Sequence, residues 1–122
     1  MKTILISIFL VLFSFNSFSQ EIKNDVVSVD TYKSLVIGKN VQLVDVRTAK
    51  EYNAGKIEGA INIDYLDKSN FKAAFEKLNK NQPVYLYCRS GRRSQESAKL
   101  LEEMGFKEIH DLKGGYLAWT KK

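Results

Sequence analysis

The sequence predicts an α/β fold with a mostly parallel central sheet of about five strands and helices on both faces. Two observations predict it. Short apolar runs, such as residues 41–46 and 83–87, have the length and the Val, Leu and Tyr content of buried strands. Helical segments separate these runs one after another, and strands that are connected through helices lie parallel in one sheet.

Five segments have strand character. The strongest has the sequence VQLVDV, and the run PVYLY further along the chain is nearly as apolar. Three weaker segments, around VVSV, AINI and FKEIHDL, complete the set. The predicted strands are, in order, residues 26–29, 41–46, 60–63, 83–87 and 106–112.

The helical segments between the strands carry start and stop signals. Asp30 and Thr31 can cap the first helix. Thr48 and Glu51 have the spacing of a capping box, in which each side chain bonds the backbone N–H of the other residue, so a second helix opens there. Gly105 is a C-terminal stop for the fourth helix. The predicted helices cover residues 30–37, 48–54, 70–78, 94–104 and 116–120.

The N-terminal residues resemble a secretory signal. Lys2 precedes an apolar run at residues 4–13, and Ser17 and Ser19 provide the small residues that a signal peptidase needs. An uncleaved membrane anchor is the alternative, but the run falls short of the roughly 20 apolar residues that span a bilayer. We therefore expect an exported protein, periplasmic or secreted, with no stable membrane insertion after cleavage near Ser19. The expected division is a signal peptide at 1–19, a flexible lead-in at 20–25 and one domain at 26–122.

The charge of the chain is mildly basic. The formal net charge is +5, and it falls to +4 once Lys2 is removed with the signal. This charge suits an anionic small substrate, but it is too weak and too dispersed to predict nucleic-acid binding. A single domain of this size is compatible with a monomer or a small homo-oligomer.

Cys88 is the only cysteine, so no internal disulfide can form. Its thiol is either a buried structural group or a reactive one. It directly follows the predicted strand 83–87, and parallel sheets place their ligand sites at the carboxyl ends of strands.

The residues after Cys88 favour the reactive interpretation. The thiolate is the attacking form of cysteine, and cations and helix N-termini stabilise it. A helix is predicted to begin at Ser94, so backbone N–H groups can converge on an anion there. Arginines add positive charge, glycine permits a tight backbone path, and two serines can donate hydrogen bonds. The predicted loop residues are Arg89, Ser90, Gly91, Arg92, Arg93 and Ser94.

This loop, YCRSGRRS, resembles the active-site loop of the rhodanese family, whose pattern is Cys, basic, small, Gly, any residue, Arg, Ser. The segment LVDVRTAKEYNAGKIEGAINI is similar to the first signature of that family, and LKGGYLAW is similar to its closing segment. Together they extend over residues 26–120 and identify residues 26–122 as a rhodanese-like domain. One departure stands at residues 56–60, KIEGA, where the family commonly has His-Ile-Pro-Gly-Ala, which leaves the local geometry there open.

The resemblance implies sulfur transfer. Cys88 would attack the sulfane sulfur of a small anionic donor such as thiosulfate, become a persulfide and release sulfite. An acceptor, cyanide in an assay or a thiol, would then take the sulfur. Arg89 and Arg93 would bind the donor or hold the loop. Asp45 and Arg47 are interpreted as a structural ion pair at the base of the site in preference to a direct catalytic role. We expect no cofactor and no metal.

Three other functions are alternatives to this one. Cysteine phosphatases and arsenate reductases have an arginine after five intervening residues, and here Ser94 stands at that place, with Arg93 one position early. A disulfide oxidoreductase would need a second cysteine. A non-catalytic sulfur-carrier or binding module of the same fold is the third alternative. His110 is interpreted as packed in its strand, and Trp119, Phe71 and Phe75 as core rather than a substrate cage.

Overall fold

The fold is an α/β sandwich around one five-stranded sheet, and the computed structural model describes residues 21–121 of the chain. The strands are β1 (Lys23–Val27), β2 (Gln42–Asp45), β3 (Ile61–Asn62), β4 (Val84–Tyr87) and β5 (Glu108–Leu112). The helices are α1 (Val29–Val36), α2 (Ala49–Ala54), α3 (Lys68–Phe75), α4 (Arg92–Glu103) and α5 (Gly115–Thr120). All strand pairs are parallel, in the order β1-β5-β4-β2-β3, which confirms the predicted fold class.

The core has two layers because side chains along a strand alternate between the faces of the sheet. In β4, Val84 and Leu86 pack with α3 and α4 on one face. Tyr85 and Tyr87 pack with α1 and α5 on the other. Helices thus cover both faces of the sheet, as predicted. β4 is also the middle strand of the five in the sheet order.

The strand order reverses between β2 and β4. The chain moves outward from β2 to β3 and then returns to the other side of β2 to form β4. In open α/β sheets such a reversal creates a crevice at the carboxyl ends of the two strands, where ligands bind. Asp45 is the last residue of β2, and Cys88 follows the last residue of β4. The fold thus brings both predicted site segments to one edge of the sheet.

Two element boundaries differ from the sequence-based expectation at the N-terminal side. β1 begins at Lys23, inside the segment expected to be a flexible lead-in, and it pairs with β5 along its whole length. The polar side chains of an edge strand hide its pattern, because one face and one edge meet solvent. The first helix is capped by Ser28 rather than by Asp30, since the Ser28 hydroxyl accepts from the Thr31 N–H at 3.4 Å.

His110 is paired as well as packed. Its side chain is buried and stacks on the ring of Tyr85 at 5.2 Å between centroids. One ring nitrogen contacts the carboxylate of Asp25 in β1, and the other lies 3.5 Å from the carboxylate of Glu108. His110 therefore connects the edge strand β1 to β5.

The predicted signal peptide at residues 1–19 lies outside the described residues, as does Gln20 at the start of the predicted lead-in. Within residues 21–121, no helix combines the length and the apolar content that crossing a bilayer requires.

Candidate active site

The sulfur of Cys88 lies at the carboxyl end of β4 and accepts two hydrogen bonds. The Gly91 N–H donates to Sγ at 3.0 Å, and the Ser94 hydroxyl donates at 3.3 Å. Cys88 itself is 1% exposed. A buried thiol in an apolar setting would have no such donors, and donors directed at a sulfur stabilise its anionic form. The geometry therefore favours a reactive thiol over a structural one.

The segment of residues 88–94, called the cysteine loop from here on, takes its shape from Gly91. This glycine has φ 121°, a conformation that side chains with a Cβ rarely adopt, and it is the N-cap of α4. α4 consequently begins at Arg92, two residues before the predicted start. The first N–H groups of a helix have no partner within the helix, so the positive end of the α4 dipole lies at the sulfur.

Arg93 connects the cysteine loop to α2. Its guanidinium donates two hydrogen bonds to the carboxylate of Glu51, at 2.7 and 3.0 Å. Glu51 also closes the predicted capping box with Thr48, which the structure confirms. Of the two roles left open for Arg93, the geometry favours holding the loop, because a carboxylate already occupies the guanidinium. The pKa of Arg93 is raised, mainly by Glu51 and to a lesser degree by the charge of the Cys88 sulfur.

The Glu51–Arg93 pair gives a prediction about acid stability. The hydrogen bonds from Arg93 lower the pKa of Glu51 from 4.5 to about 2, with further help from Thr48. The pair therefore stabilises the fold above pH 4.5, and its contribution is lost as the pH falls toward 2. Glu51→Gln keeps a residue that can close the capping box but removes the charge. We expect it to lower the free energy of unfolding by about 1 kcal/mol at pH 7, because the pair is partly exposed.

Thermal melts from pH 2 to pH 7 test this prediction. The melting temperatures of wild type and Glu51→Gln should converge as the pH approaches 2, and Arg93→Ala in the Glu51→Gln background should add little further loss. If the melting temperatures of wild type and Glu51→Gln differed by the same amount down to pH 2, the contribution of Glu51 would not depend on its charge.

Asp45 and Arg47 form the predicted ion pair, and it is fully enclosed. The guanidinium bonds both carboxylate oxygens, with Nη2 to Oδ2 at 2.7 Å, and their side chains are 0% and 5% exposed. Arg47 also donates to the Gly55 carbonyl at 2.6 Å and lies 4.3 Å from the centre of the Tyr116 ring. The pair thus joins β2 to the end of α2 and to α5.

The start of α5 fixes the outer side of the cysteine loop. The Tyr116 N–H donates to the Cys88 carbonyl at 2.8 Å, and the Leu117 N–H donates to the Arg89 carbonyl at 3.1 Å. Gly115 lies directly beneath: a Cβ added there would be 2.6 Å from the carbonyl oxygens of both Cys88 and Arg89. Because these two carbonyls are bound by α5, the loop keeps its conformation and its N–H groups remain free to face the sulfur.

The remaining loop residues lie on the outside. Arg89 and Ser90 are exposed, and the Arg92 side chain is 89% exposed, 3.9 Å from Glu96. None of the three donates a hydrogen bond to Cys88 in the described part of the chain. The predicted loop thus divides into residues that contact the sulfur (Gly91, Ser94), one that holds the loop (Arg93) and three at its rim.

The sequence matches the family described as "Rhodanese-like domain" over residues 28–122. This chain belongs to the rhodanese family. It is 33% identical over 93 residues to the thiosulfate sulfurtransferase GlpE of Shewanella oneidensis, covering 76% of this chain and 89% of that protein. It is 31% identical over 103 residues to the tRNA uridine(34) hydroxylase of Pelagibacter ubique, covering 84% of this chain but 34% of that protein, so it spans about a third of that relative.

A solved rhodanese shares the fold. The crystal structure of a rhodanese-like domain protein from Staphylococcus aureus superposes with a TM-score of 0.69 at 31% identity, covering 80% of this chain and 93% of that one. The all-parallel sheet and the five helices are therefore those of the rhodanese fold.

The departure from the rhodanese pattern at residues 56–60 lies at exposed positions. Lys56 and Glu58, which replace the common His and Pro, are exposed, and the Lys56 ammonium lies 4.2 Å from the centre of the Tyr52 ring. Ile57 between them is buried, and its N–H donates to the Tyr87 hydroxyl at 3.1 Å. Of the three residues that the segment shares with the common pattern, Ile57 and Ala60 are buried, whereas both replaced residues are exposed.

Proposed function

We propose that this rhodanese domain is a sulfurtransferase that carries sulfane sulfur as a persulfide on Cys88. The single observation that supports it most is the pair of donors on Sγ, from Gly91 and Ser94. An anionic sulfur with fixed donors is suited to attack an electrophilic sulfur and also to leave again as an anion. The resemblance to a protein named thiosulfate sulfurtransferase supports thiosulfate as the donor.

In the first half-reaction, the Cys88 thiolate attacks the outer sulfur of thiosulfate. A bond forms between the two sulfurs, the sulfur–sulfur bond of thiosulfate breaks, and sulfite leaves with the bonding electron pair. In the second, a thiolate or cyanide attacks the terminal sulfur of the persulfide, and the Cys88 thiolate is the leaving group. Neither half-reaction needs a redox partner, and total charge is conserved in each.

The cysteine loop gives each half-reaction its electrostatic setting. Gly91 and Ser94 stabilise the thiolate that is present before the first step and after the second. Arg89 and Arg92 extend into solvent at the rim, where their charges attract an anionic donor. Arg93 keeps the loop attached to α2 through Glu51.

Mass spectrometry of the intact protein tests the proposal. After incubation with thiosulfate, the mass should rise by one sulfur atom, and cyanide should then remove that atom as thiocyanate. An aryl phosphate should not be turned over, because Ser94 stands where a phosphatase loop needs its arginine. A protein that stays unmodified by thiosulfate but hydrolyses the phosphate would overturn the proposal.

The same proposal includes export. It rests on the sequence of residues 1–19, with cleavage near Ser19, so the mature protein would work in the periplasm or outside the cell on a thiol available there. N-terminal sequencing of protein recovered from the exported fraction should begin at Gln20. Recovery of the uncut chain from the cytoplasm alone would contradict it.

A further inference from the structure

Asp111, in β5, is a buried carboxyl group that the reaction above does not use. The residue is 1% exposed, and neither side-chain oxygen has a hydrogen-bond partner in the part of the chain that the structure describes. It lies two residues after Ile109 and so on the same face of the sheet, the face that α4 covers. Burying a carboxyl group without partners is costly, so its presence there calls for an explanation.

The surroundings of Asp111 connect it to the cysteine loop. Ser94, which donates to Cys88, is near enough to the carboxyl group to lower its pKa, although the two side chains do not form a hydrogen bond. On its other side is a small cavity of about 170 Å³ between β1 and α4, lined by Asn24, Gln95 and Lys99 among others. Burial raises the pKa of Asp111 to about 7, while the Ser94 hydroxyl and the Leu112 N–H act in the opposite direction. Both protonation states are therefore populated near neutral pH.

The Ser94 hydroxyl has one hydrogen and two acceptors within reach. Its Oγ is 3.3 Å from Cys88 Sγ and 3.0 Å from the Gly91 carbonyl oxygen. The Gly91 carbonyl already accepts from the Gln95 N–H at 3.0 Å, so it does not depend on the serine. The protonation state of Asp111 then decides which acceptor receives the hydrogen of the Ser94 hydroxyl. After a rotation of its side chain, a protonated Asp111 can donate to Oγ, whereas an ionised Asp111 competes with the sulfur as an acceptor.

We propose that Asp111 is a positioning residue: protonated, it directs the Ser94 hydrogen to Cys88 Sγ, and ionised, it withdraws that hydrogen from the sulfur. Calling Cys88 the catalytic group rests on the proposed function, but the coupling between the two side chains does not. Lys99 lines the same cavity, and Tyr32 of α1, whose pKa is raised by burial and by the charge of Asp111, packs in the layer on the other face of the sheet. Neither bonds the sulfur, whereas Ser94 does, so the transmission is assigned to Ser94.

The pH dependence of Cys88 alkylation by iodoacetamide, without any sulfur donor, tests the proposal. In the wild type, two coupled ionisations should spread the rate curve over two steps. Asp111→Asn keeps an N–H donor beside Ser94 and cannot ionise, so we expect a single step with its midpoint about one pH unit lower, a tenfold larger thiolate fraction, the scale of one hydrogen bond to a charged sulfur. Glu58→Gln, which removes an exposed carboxylate, is the matched control and should leave the curve unchanged.

A second pair of variants distinguishes an effect that passes through Ser94 from a general effect of charge on the sulfur. In a Ser94→Ala background, Asp111→Asn should no longer remove a step, since the hydroxyl that transmits the effect is gone. The proposal is overturned if the wild type and Asp111→Asn give superimposable curves, or if Glu58→Gln shifts the midpoint as much. Thiosulfate could also fail to load Cys88 in an experiment where Asp111→Asn still changes the pH dependence of alkylation. That result would contradict the proposed sulfur transfer and support the positioning role of Asp111.

Discussion

Cys88→Ser is expected to abolish sulfur loading and to lower thiocyanate formation by a factor of about 10³ or more, as removal of a nucleophile does in other covalent enzymes. Serine has nearly the shape of cysteine and can accept the same hydrogen bonds from Gly91 and Ser94. Its hydroxyl is not ionised at neutral pH and cannot hold a sulfane sulfur. The loss should therefore be chemical, with little change in the fold.

The measurements are the intact mass after thiosulfate and the rate of thiocyanate release, compared with Arg92→Ala. Arg92 lies at the exposed rim of the loop and does not bond the Cys88 sulfur. Arg92→Ala should therefore weaken capture of the donor only modestly. Melting temperatures should be close to wild type in both variants. Sulfur transfer that survived Cys88→Ser would remove Cys88 from the mechanism.

Gly115→Ala is expected to be the most damaging change outside the cysteine loop. The added Cβ would lie 2.6 Å from the carbonyl oxygens of Cys88 and Arg89, closer than non-bonded atoms approach. Gly115 also has φ 61°, which disfavours any side chain. We expect a loss of about 3 kcal/mol in the free energy of unfolding, from backbone strain and overpacking together. Sulfur loading should fall with it, because the loop must move away from α5.

Gly38→Ala is the matched control for this variant. Gly38 has a similar φ of 69°, but a Cβ there meets no atom within 4 Å. It should cost about 1 kcal/mol through strain alone and leave sulfur loading intact. Denaturant unfolding of the two variants separates strain from steric conflict. Equal losses of stability and activity in both would show that contact between Gly115 and the loop has no special importance.

The sequence predicted the parts of the site that are local in the chain. A strand, a cysteine, a glycine and a helix follow one another within a few residues. The positions of β4, the cysteine loop and α4 are therefore predictable from this local pattern. The capping box of Thr48 and Glu51 is equally local, and the structure confirms it. The pair of Asp45 and Arg47 was predictable because the two residues are almost adjacent.

The contacts that depend on the tertiary fold were not predictable in this way. Glu51 lies 42 residues before Arg93, and no pattern in the chain joins them. Asp111 reads as an ordinary polar residue of a strand, and only the packing of α4 shows that it is buried. The start of β1 is predicted three residues too late from the sequence, because the first residues of this strand are polar and it pairs with β5, which is remote in sequence. In each case the partner comes from another segment, which periodicity cannot reveal.

The attachment of the cysteine loop to α5 has a consequence for biosynthesis. Translation produces the thiol of Cys88 before the amides of Tyr116 and Leu117, which bind the carbonyl groups of Cys88 and Arg89. In a nascent polypeptide the cysteine loop therefore lacks these two hydrogen bonds until α5 has emerged and docked. The geometry that directs donors at the Cys88 sulfur would then be completed only when α5 docks on the loop.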